Sequence, residues 1–259
     1  MDAPQRKGWV GWMVLALALL LWESAARSSS WLQFYIPPVS QILSALFDLL
    51  ISGQVAVHCV ATLGRFLIGY FIAAAVAVGA GIVLGYFRFI YSLFEMAIEF
   101  LRPMPSVAII PVAVLILGIG DAMIVAVTVY ASAWPIIINT IDGVRHIDPT
   151  LIATGRTFGL RGWRLLWRIV LPGALPYVVT GLRISLAIAL IIVTTAEMVV
   201  GSKGLGFFIL DEERSLRNTT MYAGIILISM LGYLLNRFFL RVEGVTMKWH
   251  RGMAERQLF

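Results

Sequence analysis

Residues 148–176, DPTLIATGRTFGLRGWRLLWRIVLPGALP, interrupt an otherwise membrane-like sequence, and their reading decides the fold. Asp148 followed by Pro149 predicts a helix start: a capping carboxylate, then a proline at the first helical position, where its missing N–H costs nothing. Gly159 is the residue type that ends such a helix in a left-handed turn. Leu151 and Phe158, seven apart, share one face of this short helix. A second helical start follows, and Pro172 and Pro176 mark where it bends into the next apolar run. From Arg145 to Arg168 there are five arginines against one acid, Asp148. A segment with that bias between two membrane spans belongs on the cytoplasmic side.

The rest of the chain supplies the spans. Of 259 residues, 60% are hydrophobic and 13% charged, with a mean hydropathy of +0.90. Soluble domains carry about 25% charged residues, so this is an all-α integral membrane protein, with room for five to seven helices at about 20 residues each. The net charge of +6 does not point to nucleic acid, because the cations sit between apolar runs and no basic-aromatic module is present. A single cysteine, Cys59, excludes an internal disulfide and a thiolate metal site.

Taken in order, Arg6 and Lys7 precede an apolar run from Trp9 to Trp22, read as a first span with tryptophan anchors. Ser24-Ala25-Ala26 leaves open the alternative of a cleaved leader. Residues 27–57 predict an external amphipathic helix lying on the membrane after Pro37-Pro38. The uncharged run Phe66–Phe87 is a span, and Ala73, Ala77, Gly81 and Gly85 place small side chains along one ridge of it. From Phe89 to Gly120 the run is too long for one straight span and predicts a helix broken near Arg102–Ser106. Residues 122–142 form the next span, with Asn139 and Asp142 as boundary groups. A span from Tyr177 to Val200 follows, then a charge-balanced external loop over 201–218, then a last span from Met221 to Phe239 and a basic tail. Six spans put all three basic zones on one side, with both termini inside. The organisation is thus 1–57, a core over 58–245 containing the loop 145–170, and a tail over 246–259.

No nucleotide-binding loop, metal-ligand pairing or nucleophile motif is present, and the three histidines are far apart, so neither a catalytic nor a metal set is assigned. Intramembrane charges default to functional hypotheses. Glu99 and Arg102, three apart at the break, face one way and can pair. They either shape a path, with Pro103, Met104, Ser106 and, further on, Arg183, or snorkel to the membrane edge. A helix start at Pro103–Ser106 aims free N–H groups into the path, which suits an anion. Glu197 reads as an outer-interface residue.

The loop resembles the signature of ABC importer permeases: Glu-Ala-Ala, three residues, Gly, nine residues, Ile, one residue, Leu-Pro. The spacing holds at Gly159, Ile169 and Leu171-Pro172. RPMPSVAIIPVAVLILGIGD, VRHIDPTL, LPGALPYVVTGLR and AEMVVGSKGLGF are similar to the branch that imports nitrate, sulfonates, taurine and bicarbonate. Ala153-Thr154-Gly155 stand where the signature has Glu-Ala-Ala, so the acidic side chain usually offered to the ATPase is absent. The resemblance implies the type I ABC importer permease (MetI-like) fold with about six transmembrane helices. It also implies a multi-pass protein of the bacterial cytoplasmic (inner) membrane. Expected partners are a second permease copy (a homo- or heterodimer), two ABC ATPase subunits that bind ATP and Mg2+, and an extracytoplasmic solute-binding protein. Asp148, Pro149, Leu151, Phe158 and the signature positions would contact or couple to the ATPase, and no cofactor would sit in this chain. The rival readings are a stand-alone secondary transporter or channel, for which no inverted repeat or ion-coupling site is visible, and a membrane-embedded enzyme.

Overall fold

A computed structural model describes residues 8–247, and among these every regular element is a helix. In order they are α1 (Gly8–Arg27), α2 (Ser30–Tyr35), α3 (Val39–Ser52), α4 (Ala56–Tyr86), α5 (Arg88–Leu101), a 3-10 turn (Ser106–Ile109), α6 (Ile110–Leu117) and α7 (Asp121–Arg145). Then come α8 (Pro149–Thr157), α9 (Gly162–Leu165), a π-helical turn (Leu166–Val170), α10 (Leu171–Val200), α11 (Leu205–Arg214) and α12 (Asn218–Thr246). Arg6, Lys7, Lys248, His250, Arg251 and Arg256 lie outside the described residues.

The core is α7 held between α4 and α10. In a membrane there is no hydrophobic drive between helices, so close approach by small residues does the work. The ridge predicted on α4 does this. Ala73 and Ala77 are fully buried, while Gly81 and Gly85 meet Thr140 and Val144 of α7 and Gly69 extends the ridge onto Thr128. On the other side of α7, Gly143 meets Tyr177 and Gly181 meets Asn139, both on the α10 face. Two tethers cross these contacts: the Tyr70 hydroxyl donates to the Leu182 carbonyl at 3.0 Å, and the Ser185 hydroxyl to that of Ser132 at 2.7 Å.

These contacts fix the path of the chain between the two ends of the bundle. The last turn of α4 packs beside Val144, near α8, while Asp121 at the start of α7 bonds Arg65 at the other end. The segment between must therefore cross, and it does so as a broken helix, α5 and the 3-10/α6 piece meeting at 92°. Residues 30–52 are long and apolar enough to span by length and composition. Both ends nevertheless stay at one end of the bundle. Ser40 bonds Glu23 near the end of α1, and the Phe34 carbonyl accepts from Asn218 at the start of α12. Ile42, Leu46 and Leu49 of α3 bury against Leu205, Phe208, Ala223 and Leu227, while Leu43, Phe47 and Leu50 point outward. The outer face mixes Leu43, Phe47 and Leu50 with the polar Gln41, Ser44 and Asp48. Counted this way there are six crossings, α1, α4, α5–α6, α7, α10 and α12, with both described termini at the α8 end.

Several expectations are corrected. The second span begins at Ala56, not Phe66, so Arg65 lies inside it. Residues 201–218 are not an open loop, because α11 packs inward through Leu205, Phe208 and Ile209. Pro172 and Pro176 do not end the helix: Gly162–Val200 is one 39-residue helical stretch. The π turn is why. Pro172 cannot donate to the carbonyl of Arg168, and the ladder widens there, with the Leu171 N–H bonding the Leu166 carbonyl. Such a bulge lets the helix run on past a residue that cannot donate.

Candidate functional site

At one end of the bundle α8 is built as a detachable-looking helix. The Asp148 side chain accepts the Thr150 N–H at 2.7 Å, with Pro149 at the first position. That bond holds the Asp148 carboxyl below the usual carboxylate range. At the other end Gly159 has φ +80°, and the Gly159 and Leu160 N–H groups close onto the Arg156 and Gly155 carbonyls. This doubly bonded C-terminal motif satisfies carbonyls that would otherwise be orphaned. Only Gly155 is buried in α8. It sits so close to Ile169 and Leu165 that an added Cβ would collide with Ile169 Cδ1, while Ile152 packs beside Val144, Ile147, Val170 and Ala174. Leu151 and Phe158 remain 54% and 81% exposed, and Ala153 and Thr154 are exposed too.

Behind α8 runs the longest continuous helical stretch among the described residues. Ile169 lies in the π turn, and Leu171 and Pro172 open α10 in the same continuous helix. At 1.5 Å per residue that rod is roughly 58 Å long. Its far end carries Glu197.

The expected path residues do not form one group. Glu99, Arg102 and Pro103 line a cavity of about 570 Å3 together with Asp142 and Arg145, whose guanidinium lies 3.7 Å over the Tyr91 ring. Arg102 and Ser106 also line a second cavity of about 370 Å3 against Trp134 and Asn139 of α7. Met104 is half-buried at the break and lines neither. Glu99 and Arg102 do not pair: among the described residues no ion pair joins them, because both extend into open cavity space. Arg183 lies apart, in a cavity of about 530 Å3 with Asn236 and Glu243. Asn139 is no boundary residue. It is half-buried at the α7–α10 contact, its amide donating to the Pro135 carbonyl at 2.8 Å.

The end opposite α8 holds what the sequence reading missed. Glu197, expected at the interface, is fully buried. Arg65 reaches it at 2.7 Å and also bonds Asp121 and the Lys203 carbonyl at 2.7 and 2.6 Å. Thr62 donates to the Glu197 carboxylate at 2.8 Å and accepts the Leu205 N–H at 2.7 Å. The Gly206 N–H completes the carboxylate's partners at 3.0 Å. Gly204, with φ +116°, has the Glu197 carboxylate where its Cβ would be. The cluster joins α4, α7, α10 and α11, and every ion in it is partnered. Its signal was present: an arginine and a glutamate inside two apolar runs are each costly unless paired. Cutting the span at its first uncharged residue hid one of them.

Comparison with known proteins adds the last observation. Residues 73–244 match the family model described as the binding-protein-dependent transport system inner membrane component. A putative ABC transporter permease of Methanocaldococcus jannaschii is 31% identical, the alignment covering 92% of this chain and 91% of that protein. The taurine transport system permease of Escherichia coli is 27% identical over 91% of this chain and 88% of its own. The nitrate import permease of a Synechocystis strain is 26% identical over 90% and 87%. In fold, the chain is similar to a methionine ABC transporter solved in inward-facing conformations, with TM-score 0.64 and 22% identity over 73% of this chain and 94% of that one.

Proposed function

We propose a specific role for this chain, which belongs to the binding-protein-dependent transport system inner membrane component family and is thus the multi-pass permease component of an ABC importer. It passes a small anionic solute and converts closure of a separate ATPase pair, which binds ATP and Mg2+, into alternating access. Two permease copies would line the path, with a solute-binding protein on the far side. The names of the taurine, sulfonate and nitrate relatives support the anion, as does the unpaired Arg102 at the helix break.

One observation carries the coupling role: α8 is capped at both ends, buries one glycine, and leaves Leu151 and Phe158 exposed among the described residues. An ATPase groove closing on that face pushes α8. Gly155 bears on Ile169, so the push enters the 39-residue rod directly. Because α7 is clasped by α4 and α10, the three tilt as one body. Both cavities at the break are walled by α7, and the smaller one also by α10, so tilt changes their shape. This is the two-state element, biased from both sites, that coupling requires.

The test is ATP-driven uptake by the complex in proteoliposomes. Gly159→Asp strains a φ of +80° by roughly 1 kcal/mol and sets a carboxylate at a helix C-terminus, where the dipole disfavours it. Nothing lies within 4 Å of a Cβ there, so the spans are untouched. The variant inserts normally but loses its ATPase or holds it without uptake; wild-type levels of both would remove α8 from the mechanism. Orientation is tested alongside: the α8 end and both termini face the cytoplasm, so Arg161→Cys in intact cells resists an impermeant thiol reagent. Labelling from outside would invert the topology.

A further inference from the structure

A recess of about 520 Å3 opens between the last two turns of α4 and the joint that α8 bears on. Gly79, Val83 and Tyr86 wall it from α4, Trp163 and Trp167 from α9 and the π turn, and Leu171 from the start of α10. From Gly79 to Tyr86 it runs roughly 10 Å along the helix. No charged residue lines it. Trp163 and Trp167 are exposed and pack edge to face, with ring centroids 5.5 Å apart.

The charge around the recess has one sign. Arg164 and Arg168 each follow one of the tryptophans and form a second stripe beside the indoles. Arg161 precedes the lining Gly162, and Arg88 follows the lining Phe87. All four are exposed, and their guanidinium groups have no hydrogen bond or ion pair among the described residues. No Asp or Glu lies from Gly79 to Arg88 or from Arg156 to Arg168. The cavity of Glu99 and Asp142 is the contrast, since acids there share the walls with Arg102 and Arg145.

An apolar recess loses dispersion contacts unless a chain fills it. Bare guanidinium groups favour phosphate oxygens, which they bind by charge-assisted hydrogen bonds. Tryptophans mark the level of lipid head groups in a membrane protein. An anionic phospholipid brings the tail and the phosphate in one molecule, and its head stands at that level. A neutral lipid fills the recess but leaves the net charge unanswered.

We propose that the recess is a site for an anionic phospholipid. One acyl tail lies along α4 from Tyr86 to Gly79. The head group takes Arg164 and Arg168, with Arg88 and Arg161 at the rim. The bound lipid bridges α4 and the joint, so the anionic lipid content of the membrane sets how firmly the joint is held. The inference goes beyond the permease reading, because it needs only that this end of the bundle meets a membrane edge.

The experiment is native mass spectrometry of the full-length chain, purified in detergent with the subunits it retains. Phosphatidylglycerol and phosphatidylcholine of equal chain length are the probes. The wild type holds one saturable phosphatidylglycerol per copy and prefers it by about fivefold for each arginine engaged. Arg164→Gln combined with Arg168→Gln removes most of that preference and leaves phosphatidylcholine retention unchanged. Gly79 is exposed and a Cβ there meets nothing within 4 Å, so Gly79→Leu fills the recess and lowers retention of both lipids. Gly79→Ala leaves most of the volume and keeps them. Unfolding midpoints within a few degrees of wild type score the fold of each variant. Equal retention of the two lipids by the wild type overturns the proposal, as does unchanged retention in both the Gly79→Leu and the double-arginine variants. If Gly79→Leu instead releases the ATPase or a second copy of the chain while lipid retention holds, a protein occupies the recess and the proposal fails. None of these outcomes touches the permease reading, which stands or falls on ATP-driven uptake.

Discussion

The arginines of the α8 end and the arginine at position 65 are the same residue type at opposite ends of one bundle, under opposite conditions. Arg156, Arg161, Arg164 and Arg168 are exposed and have no partner among the described residues. Arg65 is buried, its side chain 8% exposed, and every direction of its guanidinium meets an acceptor. The contrast separates two uses of charge in a membrane protein. In the proposed roles, exposed, unpartnered cations at a helix end set orientation and meet a partner outside the chain. A buried, fully partnered cation is spent internally, holding α4, α7, α10 and α11 in one arrangement. The mechanism needs both: a face free to be pushed, and a far end stiff enough that the push arrives as tilt, not as local deformation.

The sharpest way to break the comparison is to remove one ion from the closed cluster. Arg65→Ala leaves Glu197 buried without its counter-ion, and Glu197→Ala leaves Arg65 only the exposed Asp121 as a counter-ion. Loss of one partner of a buried pair costs about 3–5 kcal/mol. Both single variants should show a large drop in thermal unfolding temperature and poor membrane yield. Replacing both at once, with Arg65→Met and Glu197→Leu, removes the desolvation problem with the pair. The double variant should recover most of the stability, which a double-mutant cycle on unfolding midpoints reads. Recovery of stability without recovery of uptake would show that the cluster does more than hold the helices together. No recovery at all would mean that Thr62, Gly204 and Gly206 need the carboxylate as much as Arg65 does.

The two ends were not equally legible. The α8 end was read residue by residue because its signals are local: a cap at Asp148, a left-handed glycine at Gly159, a charge bias along the chain. Each depends only on neighbours within a turn. The Arg65 cluster depends on residues 132 positions apart in sequence brought to 2.7 Å, and nothing local distinguishes a buried paired Glu197 from one at a lipid interface. The same limit explains the break. Its position at Arg102–Ser106 followed from two prolines, but the residues that share a cavity with Arg102 did not, since Trp134 and Asn139 arrive from α7. The prolines of α10 show a different limit. A proline signals a missing donor, and whether the helix ends there or runs on through a π turn is decided by the packing around it.

A smaller effect tests the joint between the exposed helix and the rod. Gly155→Ala has only the tip of the Ile169 side chain to displace and should be mild. Gly155→Val must lift α8 from the π turn, an overpacking worth about 1–3 kcal/mol, confined to that contact. The variant should keep its unfolding temperature within a few degrees and its ATPase, yet move about tenfold less solute per ATP hydrolysed, by an estimate scaled from that strain. The ratio of uptake to hydrolysis in proteoliposomes reads this. An unchanged ratio would mean that the push bypasses Gly155 and enters through Ile152 and its cluster.

The smallest effect concerns Asp148, and it asks whether the exposed end offers shape alone. The family signature usually supplies a glutamate, and Ala153 stands there instead, so Asp148 is the one carboxylate from Arg145 to Arg168. As a cap it needs only an oxygen for the Thr150 N–H. Asp148→Asn keeps that oxygen and should leave ATPase affinity nearly unchanged at neutral pH, whereas Asp148→Ala loses the cap and should weaken affinity by about fivefold or less. The pH dependence follows from the same bond. Because the folded-state carboxyl is held below its ordinary range, its contribution is fully present above that range and is lost as the pH falls through the depressed folded value. The wild type should therefore show fraying of α8 only in acid, visible as faster amide exchange at Thr150 and Leu151, and Asp148→Asn should not. If Asp148→Asn instead weakens the ATPase as much as Asp148→Ala does at neutral pH, the charge itself is in contact with the partner. Asp148 would then do from the helix start what the absent glutamate does one turn later, and the exposed end would be electrostatic after all.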